Sequence, residues 1–568
     1  MSSEQRDETT VEVTPDEVGA VPHPMRRATD RLRETLVRPI SRGPFHQTLR
    51  SQLARAGLVG LLAGSIGVLF GELVKLGEHL QHFILKRAHE LPWWGIVVWP
   101  LTAAALAVFA AWLVARFAPE TSGSGIPQIK GVLLHLDRLQ WKRVLPVKLI
   151  SGTAALTSGL SLGREGPTVQ MGAAMGQLTA LILRLPKRAH NQVIAAGAGA
   201  GLAAAFNAPL AGFIFVLEEL QRELSPLTFS LALIACALAD VIMRSVLGQQ
   251  PSFYVRFNYA PPLEVLPFCV VVGIAASLVG WLFSHGLLGA LAWAKSIPLK
   301  LRLTLTGLLA GGIGLLAWWL PAISGGGYAT AQEVLSGKFS NIESLRWLLM
   351  LLALRLMLTV VSYATGAAGG IFAPMLAMGA SLGVICGVLS GHMLPGAGDI
   401  SITFAVVAMA ALFSAVVRAP LTGIVLVIEM TANYALLLPL MVASLTAYVL
   451  AERMGYKPIY ESLLEVRLGG DSGHAEEEDE PVWLDMVVEP HSPIDSKYVR
   501  ELGWPGGCLI VTVTRGGHEH TPAPGMQLHA GDHLRIILGD HHREVVEAVV
   551  NSAKAHSHGH DAGGHAAH

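Results

Sequence analysis

The sequence predicts an all-α polytopic membrane protein with a two-half repeat and broken helices, followed by a small α+β domain. Three observations lead there. The 568 residues are 52% hydrophobic and 15% charged, with mean hydropathy +0.49, against about 25% charged residues in soluble domains. Apolar segments run from about residue 56 to 455 and are repeatedly cut by glycine and proline. Finally, "APLAGFIFVLE" (208–218) reads against "APLTGIVLVIE" (419–429), 211 residues on, and "PTVQMG" (167–172) against "PMLAMG" (374–379), 207 residues on. Two matches at nearly one offset divide the membrane part into related halves, about 50–250 and 260–465.

Residues 1–49 form an N-terminal segment. Its first 25 residues are polar and acidic and read as disordered, with no signal peptide. Arg26, Arg27, Arg31, Arg33, Arg38, Arg42, Arg50 and Arg55 precede the first apolar run. The positive-inside rule therefore puts the N-terminus in the cytoplasm. The acidic leader argues against a mitochondrial transit peptide. With net charge −1 there is no bulk basic field for nucleic acid, and Cys236, Cys269, Cys386 and Cys508 lack metal or disulfide spacing.

Within 50–465, the runs 56–76, 95–117, 266–293 and 303–320 approach the roughly 20 residues a spanning helix needs. Others are short and broken: 123–127, 163–167, 209–219, 366–374 and 420–431. Non-helical backbone at membrane depth is tolerated where it lies inside protein or lines a watery cavity. Transporters build their sites from such half-helices, between repeats.

Residues 466–480 are an acidic linker. In 481–553, "WLDMVVE", "CLIVTVT" and "HLRIIL" read as strands, "SKYVREL" and "HREVVEAVV" as helices. Residues 554–568 are a histidine-rich tail, read as disordered rather than metal-binding. His518, His520, His541 and His542 read as a solvated surface.

The chemistry concentrates at three motifs. In "GREGP", Gly163 and Gly166 allow a tight turn and Pro167 suits a first helical turn. Glu165 is then expected just before a helix N-terminus, whose free amides form an anion site. A carboxylate there occupies the site itself; protonated, it swings away and admits a dissolved anion. Its plain alternative is a cap paired with Arg164. A charge at mid-bilayer costs about 2.5–3.5 kcal/mol on insertion scales, which favours function. "GSGIP" supplies Gly123, Ser124, Gly125 and Pro127, with Ser124 by itself a default N-cap. "GGIFAP" supplies Gly370, Pro374 and the amides of Ile371 and Phe372. Three converging helix starts would hold an anion without a fully charged lysine, weakly enough to release it. In "FVLEEL", Glu218 has the repeat partner Glu429, which favours a structural role. Glu219 faces Met430 in the repeat and is the candidate for accepting protons from the cytoplasm.

"GSGIP", "GREGP" and "GGIFAP", in this order, with "FNAPLAGFIFVLEE" and "GYKPIY", resemble the CLC family of chloride channels and chloride/proton exchangers over about residues 50–465. The resemblance implies inverted halves and a homodimer with one anion pathway per subunit. It also implies a central chloride held by the hydroxyls of Ser124 and Tyr460 and the amides of Ile371 and Phe372. Glu165 matches the gating glutamate and Glu219 the internal proton glutamate of exchangers. The serine of "GSGIP" resembles chloride-selective members, not the nitrate or fluoride branches. "ATGAAGGIFAP" departs from the usual "GSGxxGGxFxP", though Gly366 keeps one glycine. Through "VVEPHSPIDSKYVRELGWPGGCLIVTVTRGG" and "LHAGDHLRIILGD", residues 481–553 resemble the cytoplasmic RCK/TrkA C-terminal regulatory domain, whose members dimerise and some of which bind small, nucleotide-like regulators; the resemblance leaves open whether this domain takes such a ligand.

The resulting expectation is a chloride/proton antiporter of a prokaryotic inner membrane, with both termini cytoplasmic and no cofactor beyond the transported chloride. A passive chloride channel is the first alternative, disfavoured by Glu219. A membrane anion sensor is the second. No HExxH, nucleophile elbow or phosphate loop supports an enzyme.

Overall fold

The computed structural model describes residues 42–92, 94–221, 226–255, 261–339, 341–390, 400–468, 482–504, 508–515, 518–538, 549 and 552–553. The acidic linker, the histidine-rich tail, His541 and His542 lie outside them. The chain divides into two compact units, Met1–Leu464 and Glu465–His568.

The first unit is helical, and nine of its described helices are long and apolar enough to span a membrane. The first runs Arg42–His89, well beyond the 56–76 apolar run. No proline interrupts it between Pro44 and Pro92, so the helix continues through polar sequence at both ends. Gly95–Phe117, Leu266–Ser296 and Leu299–Trp319 match the expected spans closely. Phe372–Ser390 and Ile400–Val417 are apolar on every face, and 94% and 100% of their spanning windows are buried. A helix without a polar face belongs inside the bundle. Glycine permits the closest approaches: Gly172 and Gly176 of helix Glu165–Ile182 meet Gly197 and Val193 of helix Lys187–Phe206 backbone to backbone.

The halves repeat in structure as well as sequence. Two eight-residue helices, Ile126–Leu133 and Tyr328–Leu335, start after the left-handed glycines Gly125 (φ +92°) and Gly327 (φ +95°). Two others start at Pro209 and Pro420, and here the halves exchange caps. Glu429 accepts from the amides of Leu210 (3.1 Å) and Ala211 (2.8 Å). Glu218 accepts from those of Leu421 (3.0 Å) and Thr422 (2.7 Å) and from the Thr422 hydroxyl (2.7 Å). Residues Val216–Gln221 form a widened π-helical turn, which sends Glu218 and Glu219 to different partners.

The second unit is a four-stranded antiparallel sheet of order β1-β4-β2-β3, with β1 Val482–Val487, β2 Cys508–Arg515, β3 His518–His520 and β4 His533–Leu538. Val488, Ile494, Ile510, Val513, Leu528, Leu534 and Ile536 form its core. The three expected strands are present. "SKYVREL" is not a helix: only Val499–Glu501 makes a 3-10 turn. The amides of Ser496 and Val499 donate instead to Leu528 and Met526 carbonyls, both at 2.9 Å, so they are spent on a cross-chain ladder. Of "HREVVEAVV", only Val549 is described.

Candidate functional site

Three glycine-rich turns are stitched together inside the first unit. The Gly123 amide donates to the Ala367 carbonyl at 3.1 Å, and the Gly369 amide to the Gly123 carbonyl at 3.0 Å. Gly163 and Gly370 exchange two hydrogen bonds of 2.7 Å. These short bridges gather the starts of helices Ile126–Leu133, Glu165–Ile182 and Phe372–Ser390. Pro127, Pro167 and Pro374 each fall in a first turn, where proline displaces no hydrogen bond. The first amides of a helix lack intrahelical acceptors, so donors and positive helix ends accumulate at this point. The "ATG" departure does not disturb the junction: Gly366 takes φ +78°, and the Gly163–Gly370 pair closes.

Ser124, Glu165, Ile371, Phe372 and Tyr460 are all wholly buried. Gly125, not Ser124, caps its helix; the Ser124 hydroxyl accepts from the Ile126 amide at 3.4 Å. A side chain at Gly166 would press on Ser124 Oγ, its Cβ only 2.5 Å away. Phe372 lies among Phe413 (5.0 Å between ring centroids), Phe206 (5.8 Å) and Tyr460 (6.1 Å). The Tyr460 side chain comes close to Ser124, and its hydroxyl makes no hydrogen bond of ordinary geometry among the described residues. Such an orphan donor costs free energy unless something else accepts from it.

Glu165 is the first residue of its helix, one position later than expected. Its Oε1 accepts from the Tyr328 hydroxyl at 2.7 Å, and its Oε2 turns to the backbone of Gly163 and Ala373. Arg164 is not its partner in an ion pair. The Arg164 guanidinium lies 5.4 Å from the Tyr328 ring centroid and donates to the Ala205 carbonyl at 3.4 Å. Beyond this group opens a cavity of about 520 Å³, lined by Lys75, Glu78, His82, Arg164, Tyr328 and Glu333 among others.

Residues 106–452 match the voltage gated chloride channel family model. The chain belongs to the voltage gated chloride channel family. Residues 484–549 match the TrkA-C domain. The H(+)/Cl(-) exchange transporter ClcA of Vibrio vulnificus (strain YJ016) is 40% identical over 431 residues, 74% of this chain and 91% of the relative. The protein of that name from Yersinia pestis bv. Antiqua (strain Angola) is 39% identical over 431 residues, 72% and 87% of the two chains. Among solved structures, a slow cyanobacterial Cl-/H+ antiporter superposes with TM-score 0.70 at 37% identity, covering 74% of this chain and 99% of that one. A eukaryotic CLC transporter shares the fold, with TM-score 0.60 at 21% identity over 74% of each chain. The chain is thus a multi-pass membrane protein of this family.

In this member of the voltage gated chloride channel family, three side chains that contact the candidate residues were not anticipated from the sequence. Lys148, wholly buried, donates to the carbonyls of Thr121 (2.9 Å) and Gly123 (2.7 Å). Its ammonium is engaged by these backbone carbonyls and fixes the Gly123 turn. Lys130 donates to Glu219 Oε1 at 2.8 Å, with the two side chains 6% and 1% exposed, and lies 3.6 Å from Glu461 Oε1. Tyr328 follows a glycine run, "SGGGY", that mirrors Gly123–Gly125 202 residues earlier. Extending the repeat to that segment would have found it; nothing local marks Lys130 or Lys148. Among the described residues, no group of three or more His, Cys, Asp or Glu is placed to hold a metal.

Proposed function

We propose that this protein is a chloride/proton antiporter in which Glu165 competes with chloride for one site. The carrying observation is a wholly buried carboxylate at a junction of three helix starts. Placing that charge at mid-membrane costs about 2.5–3.5 kcal/mol. A hydrogen bond to a charged group returns roughly 1.5–3 kcal/mol, and the helix ends add to it. Gain and cost nearly balance, so the carboxylate can be displaced once it is protonated.

In this reading the hydroxyls of Ser124 and Tyr460 and the amides of Ile371 and Phe372 hold the central chloride. Glu165 is the gate on the outer side. Glu219 delivers protons to it from the cytoplasm. The protein sits in a bacterial inner membrane as a homodimer with both termini cytoplasmic, and residues 481–553 bind a small, nucleotide-like regulator. The names of the exchange transporters of Vibrio and Yersinia support the transport reading, as does the Cl-/H+ antiporter structure that matches over 99% of its own length and 74% of this chain.

The decisive test is proton movement into liposomes holding only the purified protein, under a chloride gradient with voltage clamped by a potassium ionophore. Chloride flux should drive protons uphill, and Glu165→Gln should abolish proton movement while chloride still passes. Free chloride flux with no uphill proton movement would make the protein a passive channel.

A further inference from the structure

Tyr328 is placed with more support than a packing residue needs. Its hydroxyl donates to Glu165 Oε1 at 2.7 Å. One contact of its ring is the Arg164 guanidinium at 5.4 Å, and another is the Phe253 ring, stacked with centroids 5.6 Å apart and planes 28° from parallel. The preceding turn is tied on several sides. Arg355, 2% exposed, donates to the Gly325 carbonyl and the Thr330 hydroxyl, both at 2.6 Å. The Gly325 amide donates to the Gly159 carbonyl at 3.0 Å, and Gln81 to the Ser324 hydroxyl at 2.8 Å. Tyr328 itself is half-buried and lines the 520 Å³ cavity, whereas Glu165 is wholly buried. The phenol therefore stands between the gate carboxylate and the open cavity. Lys75, Glu78, Gln81 and His82, from the far end of the first spanning helix, put that cavity at the opposite end of the bundle from the start of that helix.

We propose that Tyr328 is a positioning residue that latches Glu165 in its closed position and so slows exchange. This rests on the gate reading of Glu165. The physical argument is competition: carboxylate and chloride seek the same donors, and the Tyr328 hydrogen bond favours the carboxylate alone. A charge-assisted bond held by a pre-ordered donor is among the stronger hydrogen bonds, because its donor loses little freedom on binding. The phenol can also accept a hydrogen bond, so after protonation the acid keeps a partner while it begins to leave. Opening then requires two events, protonation and release from Tyr328.

The test is a cycle of four full-length proteins: wild type, Tyr328→Phe, Glu165→Gln and the double variant. Each is purified, checked for a single elution peak and melting transition, and measured for chloride affinity by calorimetry and for chloride and proton flux in liposomes. Phenylalanine keeps the ring contacts and removes one oxygen. Tyr328→Phe should tighten chloride binding about tenfold, the scale of one charge-assisted hydrogen bond. Turnover should rise several-fold at an unchanged chloride-to-proton ratio. In the Glu165→Gln background the same change should leave chloride affinity within twofold, because no carboxylate remains to be latched. Equal effects in both backgrounds would make Tyr328 a packing residue and overturn the latch. Unchanged affinity and turnover in Tyr328→Phe would also overturn it, while Glu165→Gln uncoupling protons left the gate reading intact. If Glu165→Gln kept its proton coupling, the gate reading itself would fall. Should Tyr328→Phe fail to fold, Phe253→Leu, which loosens the ring stack and spares the hydroxyl, should shift affinity in the same direction; no shift there would overturn the latch.

Discussion

Lys130 Nζ stands 2.8 Å from Glu219 Oε1, and both side chains are almost sealed from solvent. Glu461, at 3.6 Å from the same nitrogen, is 29% exposed. A chain of three charges thus runs from a partly wetted carboxylate to a dry one. Removing one member of a buried pair costs up to about 3–5 kcal/mol.

Lys130→Met should therefore lower the melting temperature, and Glu219→Gln added to it should restore much of the loss. Proton flux in liposomes should fall at least tenfold in Lys130→Met while chloride flux changes far less. A Lys130→Met protein with wild-type coupling would remove Lys130 from the proton route.

Glu218, next to Glu219, has an opposite expectation. It caps the helix starting at Pro420, and Glu429 caps the one starting at Pro209. Losing an N-terminal cap costs about 0.5–2 kcal/mol. Glu218→Ala and Glu429→Ala should each destabilise the purified protein by about that amount with the chloride-to-proton ratio unchanged. A changed ratio in either variant would give these carboxylates a transport role.

Much of this was legible in the sequence because glycine and proline mark helix starts regardless of what packs around them. Gly123, Gly125, Gly163, Pro167 and Pro374 lie in the turns or first helical turns that their types dictate. The repeat separated Glu218 from Glu219 by giving only one of them a partner. What stayed hidden was long-range. Lys148 meets Gly123 across 25 residues, Lys130 meets Glu219 across 89 and Tyr328 meets Glu165 across 163, and no local pattern encodes such meetings. "SKYVREL" misled because its helical composition lost to a ladder with residues 526–528.

Gly163 has a narrow tolerance for another reason. A Cβ there would collide with Glu165 Oε2 and press on Ala373, so alanine and the closed carboxylate cannot occupy the same space. Gly163→Ala should exclude the closed position altogether, giving faster chloride flux and fewer protons per chloride, whereas Tyr328→Phe only loosens it. Wild-type flux and ratio in a folded Gly163→Ala protein would show that Glu165 does not rest where the structure places it.

In the second unit, Asp532 is nearly sealed, its carboxylate 1% exposed, and takes two hydrogen bonds from Arg515 (2.7 and 2.5 Å) and one from the His529 amide (2.8 Å). Burial pushes its pKa up, but those bonds, together with the Arg515 charge, outweigh burial and hold it below the ordinary carboxylate value of 3.8. A carboxyl depressed in the folded state adds stability that is complete above its unfolded pKa and is lost as pH falls through the folded one. Stability of this unit should thus be flat from neutral pH to about 5 and drop below about 4. With Arg515 43% exposed, solvent screening trims the contribution to about 1–2 kcal/mol. Hydrogen exchange of the β2 and β4 amides in the full-length protein, corrected for the intrinsic pH dependence of exchange, reads this directly. Asp532→Asn should speed exchange about tenfold at neutral pH and flatten the acid response. Equal protection in both proteins at pH 7 would show that the Arg515–Asp532 pair does not hold this sheet together.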